Sequence, residues 1–231
     1  AEFLDDVLLQ SPALALAATR HELARVGLRI QAMLKGLLPT ITQGSRAALH
    51  QLKRQDDAVD DLHTQIVQYL AKAAQMNLNT KEQAELLQLL TTTHALENIG
   101  DLIETNLVAL GKKRIRLQLE VGDDSLSHLE ALHHHVTRAV QDSLQAVLAT
   151  DRTLAQQVIE LKPRIVALAH QASQTETKLF TTAGAKGLQR YTFNNDIIDK
   201  LQRIYYHARQ IAQAVNPRQP QLDLALEKEV N

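Results

Sequence analysis

The chain contains no cysteine and no tryptophan, and only 8 of its 231 residues are glycine and 5 are proline. The absence of cysteine excludes disulfides and thiolate metal ligands. Because glycine and proline interrupt secondary structure, their scarcity predicts long elements. The net charge of −1 leaves no basic surface of the kind that binds nucleic acid, so no nucleic-acid partner is expected. No stretch reaches the roughly 18 apolar residues that a membrane-spanning helix requires.

Apolar residues make up 45% of the chain, whereas aromatic residues make up only 3%. A core of leucine, alanine, valine and isoleucine suits the close packing of helices better than a sheet. Apolar residues at helical spacing predict long helices over 12–38, 42–76, 86–113, 125–149, 151–182 and 186–215. Pro39 is expected to end the first helix, and Pro163 to kink or split the fifth. Thr80 and Gln83 are expected to form a capping box at the start of the third.

The last three predicted helices repeat the pattern of the first three. A shift of 106 residues places Leu23 on Leu129 and Ile30 on Val136. A shift of 105 aligns the third helix with the sixth in the same way. The sequence therefore predicts an all-α fold, in which two tandem three-helix repeats form one elongated bundle. The expected divisions are a lead-in at 1–11, a first repeat at 12–120, a second repeat at 121–216 and a mobile tail at 217–231.

Three carboxylates follow one edge of the apolar face of the third helix. At about 100° per residue, a single apolar stripe runs along this helix. The stripe contains Leu89, Leu96, Ile103, Leu107 and Leu110. Glu97, Asp101 and Glu104 lie beside it, where a neighbouring helix can meet them.

The second predicted helix offers a matching set of aspartates. Asp56 lies just inside its apolar stripe and Asp60 just outside it, whereas Asp57 and Asp61 point towards water. An i, i+4 acidic pair on each helix would bring four carboxylates together if the two helices packed face to face, and hard cations and iron accept such ligands. Salt bridges, helix caps or a solvated acidic face are the alternatives. The candidate ligands of a divalent metal or an iron cluster are therefore Asp56, Asp60, Glu97 and Asp101.

The histidines give weaker indications of a metal site. Glu130 and His133 form one Glu-x-x-His, the ligand pair of di-iron bundles, but the second pair that such a site needs is absent. His63 falls in the apolar stripe of the second helix and is expected to be a buried structural histidine. The basic run at 112–116 suits the dipole of a helix C-terminus. The sequence has no glycine-rich phosphate loop, nucleophile elbow or HExxH motif, so no enzymatic activity is expected.

The segments DDAVD at 56–60 and LENIGD at 96–101 resemble the E(D)xxxD motifs of the PhoU family. The resemblance covers about residues 12–215. It implies two three-helix repeats whose paired acidic motifs bind iron clusters or other cations.

Two further segments resemble a narrower group of proteins. LDD at 4–6, leading into SPALAL at 11–16, and LQRIYYH at 201–207 are similar to the PhoU-like domain at the cytoplasmic C-terminus of bacterial Na+/phosphate cotransporters. This resemblance implies a membrane transporter portion as partner, upstream on the same polypeptide. It also implies a location at the cytoplasmic face of the inner membrane.

The second repeat departs from the PhoU pattern at each acidic position. The residues that the repeat aligns with the carboxylates are Lys162, Val166, Gln202, Tyr206 and Arg209. Neutral and cationic groups do not hold a cation, so any metal is expected in the first repeat only.

Three functions are compatible with the sequence. The favoured one is a non-catalytic regulatory or interaction domain of a Na+/phosphate symporter. The alternative is a stand-alone PhoU-like regulator of phosphate uptake that binds a metal cluster in its first repeat. A more distant alternative is a helical-bundle enzyme with a carboxylate-bound metal. Homodimer formation is left open by the sequence.

Overall fold

The computed structural model describes residues 1–180 and 184–216, and every regular element within them is helical. The predicted all-α fold is confirmed. A 3-10 turn at Asp6–Gln10 precedes the α-helices, and a π-helical stretch at Leu102–Leu107 joins α4 to α5. The α-helices are α1 Pro12–Gln43, α2 Arg46–Arg54, α3 Asp57–Ala73, α4 Thr80–Asp101, α5 Val108–Leu117, α6 Asp123–Ala149, α7 Arg152–Glu160, α8 Lys162–Phe180 and α9 Gly184–Val215. The segment 217–231, which the sequence predicts to be a mobile tail, lies outside the described residues.

The two halves of the chain are repeats of one another. The second half follows the first at an offset of 106 residues: α2 and α7 share that offset at both ends, and α1 and α6 share it at their last residues. Each repeat has a long first helix, a broken second one, and a long last one that is α4–α5 in the first repeat and α9 in the second. The prediction of two tandem three-helix repeats is confirmed.

The repeats join in one apolar core, in which α1 packs on α6 and α4 on α9. α1 meets α6 at Gly27, where an added methyl group would overlap the end of the Leu144 side chain. A larger residue at this crossing would therefore require that leucine to move. Within the described part of the chain, no helix is long and apolar enough to cross a bilayer.

The prediction that Pro39 ends the first helix is wrong, because α1 continues to Gln43. Proline removes the N–H that would bond the carbonyl of Lys35. Lys35 lies on the exposed face, so water can reach that side of the helix. Leu38 and Ile41 are buried on either side of the proline and hold the last turn in the core.

The second predicted helix is two helices rather than one. α2 ends at Arg54 and α3 begins at Asp57. Between them, the N–H groups of Gln55 and Asp56 donate to carbonyls three residues earlier, which closes a tight turn. The second repeat breaks at the equivalent place, at Leu161, as Pro163 predicts. The repeat offset was therefore the signal that could have located the break in the first repeat.

The π-helical stretch changes which residues of the third helix face the core. Its wider turn adds a residue to the helix, so a periodicity of 100° per residue no longer holds beyond residue 102. Ile103 and Leu107 are buried as predicted, but Leu110 is only half-buried, and Val108 and Gly111 take its place in the core. At its other end, this helix is capped by the reciprocal bonds of Asn79 and Glu82, one residue earlier than the predicted pair.

Candidate metal centre

Four pairs of side chains face each other where the second and third helices of the first repeat run antiparallel. Lys53 bonds Glu104 at one end, and His63 contacts His94 at the other, with 3.0 Å between the ring nitrogens. The register that these two contacts set places Asp56 opposite Asp101 and Asp60 opposite Glu97 on the turns between them. We call the set of these four pairs the acidic ladder: Lys53–Glu104, Asp56–Asp101, Asp60–Glu97 and His63–His94.

Three of the ladder's carboxylates converge. Asp56, Asp101 and Glu104 each present one oxygen, and these oxygens lie within 4.8 Å of one another. A hard divalent cation holds its oxygen ligands at about 2.0–2.6 Å, so ligand oxygens on one ion are about 3–5 Å apart. The three oxygens therefore already have the separation of a cation's ligand shell. Within residues 1–180 and 184–216, they form the one such group of three.

Asp56 is the buried member of this group, and one of its carboxylate oxygens is unpaired. Its side chain is only 2% exposed, and its Oδ1 has no hydrogen-bond partner among the described residues. The side chain occupies the N-cap position of α3 without capping it and instead points at α4. There Gly100 makes room for it, because a methyl group at residue 100 would overlap Oδ1. A buried carboxylate oxygen without a partner is costly and indicates a missing ligand or proton.

The electrostatics of the ladder favour a bound cation. Burial, followed by the charges of Asp60 and Asp101, raises the pKa of the Asp56 carboxyl to about 7. Burial, and then the charge of Asp101, also raises the pKa of Asp60 and that of Glu97. A divalent cation among these groups would offset the unfavourable burial and the repulsion between the carboxylates, since it supplies the missing ligand and neutralises their charge.

Lys53 already neutralises one member of the convergent group. Its ammonium donates to a carboxylate oxygen of Glu104, and this hydrogen bond holds the pKa of Glu104 below its usual range. Glu104 also accepts a hydrogen bond from the hydroxyl of Thr105 at 2.7 Å. The lysine therefore competes with a metal for this carboxylate.

The structure brings together two of the four predicted ligands in the convergent group. Asp56 and Asp101 belong to it, whereas Asp60 and Glu97 lie one helical turn further along the ladder and outside it. Glu104 takes their place in the group. Sequence reasoning placed Glu104 on the same flank but left it out of the ligand set, although its position three residues after Asp101 could have included it.

The histidine predictions have mixed outcomes. His63 is half-buried rather than fully buried, and its partner is the imidazole of His94. His133 lies 2.8 Å, through its Nε2, from the carbonyl oxygen of Leu34, so this nitrogen donates to α1. Burial lowers the pKa of His133, while Glu130 is exposed. His133 therefore ties α6 to α1, and the Glu-x-x-His pair is not arranged as a ligand pair.

The equivalent positions of the second repeat form no such site. Lys162, Val166 and Tyr206 are exposed, and Gln202 and Arg209 are half-buried. In the basic run, Arg114 donates to the carbonyl of Ile41 at 2.9 Å and thus binds the end of α1. This hydrogen bond adds to the favourable interaction with the helix dipole that the sequence predicts for the basic run at the end of its own helix.

The fold agrees with the comparisons to known proteins. Residues 23–106 match the PhoU domain. The crystal structure of PhoU from Pseudomonas aeruginosa superimposes with a TM-score of 0.81 at 16% identity, over 89% of this chain and 97% of that one. The chain has the PhoU fold. The phosphate transport system regulatory protein PhoU from Streptococcus pneumoniae has a TM-score of 0.76 at 14% identity, over 89% of this chain and 95% of that one.

Longer relatives match most of this chain. YjbB of Salmonella typhimurium and YjbB of Escherichia coli K12, both named for inorganic phosphate export, are 22% identical to it over 201 residues. The match covers 87% of this chain, which spans 37% of the length of those relatives.

Proposed function

We propose that the chain is a non-catalytic regulatory domain of a phosphate transporter of the Na+/phosphate symporter type, at the cytoplasmic face of the membrane. The observation that supports this proposal is the alignment of 87% of the chain with about a third of a longer protein named for phosphate export. A domain tethered to its transporter has a high effective concentration at its target, so a weak contact is enough for control.

The N-terminal segment provides a physical connection for such control. The N–H groups of Glu2 and Phe3 donate to the buried carboxylate of Glu22 on α1, at 2.9 and 3.0 Å. On α3, Lys72 pairs with Asp6. A transporter portion preceding this segment would therefore be connected to α3, the helix that carries Asp60 and His63 of the acidic ladder.

Cation binding in the first repeat is the second part of the proposal. Asp56, Asp101 and Glu104 would supply the oxygen ligands, and Asp60 and Glu97 would add negative charge one turn away. When bound, the cation supplies charge neutralisation that cross-links the two helices. The unpartnered Oδ1 of Asp56 supports this part of the proposal.

Transport assays on the full-length gene product would test the regulatory role. Phosphate flux into vesicles is measured for the intact protein, for a version lacking this domain, and for Asp56→Asn, with Asp57→Asn as the matched surface control. We expect deletion and Asp56→Asn to change the flux, and Asp57→Asn to leave it unchanged. Equal flux with and without the domain would contradict the proposal.

A stand-alone PhoU-like regulator is the second candidate. The observation that favours it is that the chain covers 97% of the Pseudomonas aeruginosa PhoU chain, so the domain by itself matches a whole PhoU protein. Reading the gene upstream of Ala1 distinguishes the two functions. Hydrophobic spans there support the transporter domain, and a start codon immediately before Ala1 supports the separate regulator.

Elemental analysis of protein purified without chelator tests the cation. We expect a stoichiometric metal in the wild type, retained in Asp57→Asn and lost in Asp56→Asn and Asp101→Asn. A wild type without bound metal that also fails to gain thermal stability from added Mn²⁺ or Mg²⁺ would contradict the site. It would also remove the basis for a metal-dependent enzyme, the third function compatible with the sequence.

A further inference from the structure

The basic run at 112–116 faces a second row of basic side chains across a groove. α2 packs on α5, and a groove of about 790 Å³ lies between the two helices. We call it the basic groove, and its basic lining consists of Arg46, His50, Lys112, Lys113 and Arg116. Two segments that are far apart in sequence therefore place their basic side chains on one surface.

Helix geometry explains why these side chains share one surface. On α5, Lys112 and Arg116 are four residues apart, and on α2 the same spacing separates Arg46 from His50. Side chains four residues apart lie on one face of a helix, so each helix presents a row. Arg54 follows His50 at the same interval and extends the row on α2 into the adjoining groove.

Two contacts hold the rows side by side. Arg114, the member of the basic run that does not line the groove, donates to the carbonyls of Ile41 and Gly44, just before α2 begins. Leu49 of α2 is fully buried and meets Gly111 of α5, where an added methyl group would overlap its side chain. The basic groove is therefore set by the packing of the first repeat.

Most of the positive charge in the basic groove has no anionic partner. Three exposed cations form no side-chain hydrogen bond or ion pair within residues 1–180 and 184–216: Arg46, Lys112 and Arg116. Lys113 lies 3.9 Å from Asp196, at the limit of an ion pair. Glu120 lines a neighbouring groove that Arg46 borders. In a chain with a net charge of −1, this surface is a local excess of positive charge.

We propose that the basic groove binds the phosphate groups of anionic lipid headgroups and so places the first repeat against a membrane surface. Clusters of about four to eight Lys and Arg side chains bind such surfaces, and each side chain strengthens binding about fivefold. The groove supplies such a cluster in Arg46, Lys112, Lys113 and Arg116, to which the row on α2 adds Arg54.

The floor of the basic groove suits the boundary between headgroups and water. It contains the exposed Ala109 and the half-buried Leu110. Lysine and arginine stems lie along apolar surface of this kind while their charged ends reach into a polar layer. Leu110, which the π-helical stretch turns out of the core, thereby has a place in the groove.

The chemistry of the basic groove favours a membrane over other polyanions. The described lining contains no Phe, Tyr or Trp on which unpaired bases could stack, as they do in single-strand nucleic-acid sites. Protein interfaces have cores that are depleted of charge and rely on buried aromatic anchors. A lipid surface instead presents many phosphates, which rearrange around cations that the protein holds in place.

Cosedimentation of the full chain with lipid vesicles tests the inference. We expect binding to phosphatidylcholine mixed with phosphatidylglycerol and none to phosphatidylcholine alone, and added salt should weaken the binding. Arg46→Gln, Lys112→Gln and Arg116→Gln should each weaken it about fivefold, with unfolding midpoints equal to that of the wild type. Arg164→Gln is the matched control, since it removes an exposed cation of α8 outside the groove, and it should bind as the wild type does.

A nitroxide-labelled lipid provides a readout that needs no variant. In anionic vesicles it should broaden the amide NMR signals of 46–54 and 109–116 and leave those of α8 unchanged. Both measurements use the chain without a transporter, so their failure leaves the test of phosphate flux unaffected.

Four results would overturn the inference. One is binding that does not depend on the anionic lipid, or no binding at all. Another is equal weakening in Arg164→Gln and the groove variants, which would mean attraction by net charge alone. A third is displacement from vesicles by inorganic phosphate but not by chloride of equal ionic strength, which would assign the groove to free phosphate. The last is binding of polyglutamate without binding of vesicles, which would assign it to an acidic protein.

Discussion

Replacing Asp56 with asparagine removes a buried charge while preserving the shape of the side chain. Burial and the neighbouring carboxylates raise the pKa of this group from its ordinary 3.8 to about 7. The difference between these values corresponds to about 4 kcal/mol of unfolding free energy. Because the folded state has the higher pKa, this energy is a cost of ionisation. It is absent below about pH 4, grows as the pH rises, and is complete above about pH 7.

Urea unfolding of the full chain in the presence of chelator measures that cost. At pH 8, we expect Asp56→Asn to be more stable than the wild type by an amount approaching about 4 kcal/mol, and at pH 4 to be nearly equal to it. Asp57→Asn is the matched control, since Asp57 is the next residue and is exposed. Its stability should follow that of the wild type at both pH values.

Added cation should reverse the order of stability. Mn²⁺ at many times its dissociation constant stabilises only the protein that binds it, by several kcal/mol at high saturation. The wild-type midpoint should therefore rise with Mn²⁺, while that of Asp56→Asn stays constant. If Asp56→Asn in chelator at pH 8 is no more stable than the wild type, or if the two show parallel pH dependence, then the carboxylate is not held unpaired.

Three further changes test the surroundings of the site and the second repeat. Gly100→Ala should destabilise the chain by about 1–3 kcal/mol in urea unfolding and weaken Mn²⁺ binding, because the added methyl group overlaps the buried carboxylate of Asp56. In contrast, Gly36→Ala places its methyl group in open space on an exposed helix face and should stabilise the chain by up to about 1 kcal/mol. Lys53→Met should tighten Mn²⁺ binding in calorimetry, because its ammonium no longer competes for a ligand; weaker binding would contradict this role. Tyr205→Phe should lower the unfolding free energy by about 1–2 kcal/mol, since the buried hydroxyl of Tyr205 donates to the carbonyl of Val158 in α7 at 2.9 Å. Tyr206 is exposed, so Tyr206→Phe should leave the unfolding free energy almost unchanged.

The sequence predicted the fold because two independent patterns agreed. Helical periodicity located the long elements, and the offset of 106 residues fixed their number and order. The sequence did not predict local changes in the backbone conformation of the helices. Pro39 stays within α1 because buried neighbours outweigh one lost hydrogen bond. The π-helical stretch follows no composition signal, and it rotates Leu110 out of the core.

The sequence predicted which residue types and which helix faces form the candidate site, but not how deeply each side chain is buried. A helical wheel placed Asp56 near the core and Asp57 in water, as the structure has them. It could not show that Gly100 leaves room for the Asp56 side chain, because that depends on how closely two helices approach. For the same reason the contact between His63 and His94 was missed. The two residues are 31 positions apart in sequence and meet only through helix packing.

The two repeats differ at the acidic positions, and the free-energy cost of unpaired carboxylates explains this difference. A domain of this size is stable by only about 5–15 kcal/mol, so an ionised and unpaired Asp56 would consume a large share of that margin. Such a residue persists where a cation or proton offsets the cost. In the second repeat the aligned position is Lys162, which is exposed and needs no ligand. The fold therefore does not require a carboxylate at that position, since one repeat forms without it. A group that is costly and dispensable for folding is best explained by what it binds, which supports the proposed cation site in the first repeat.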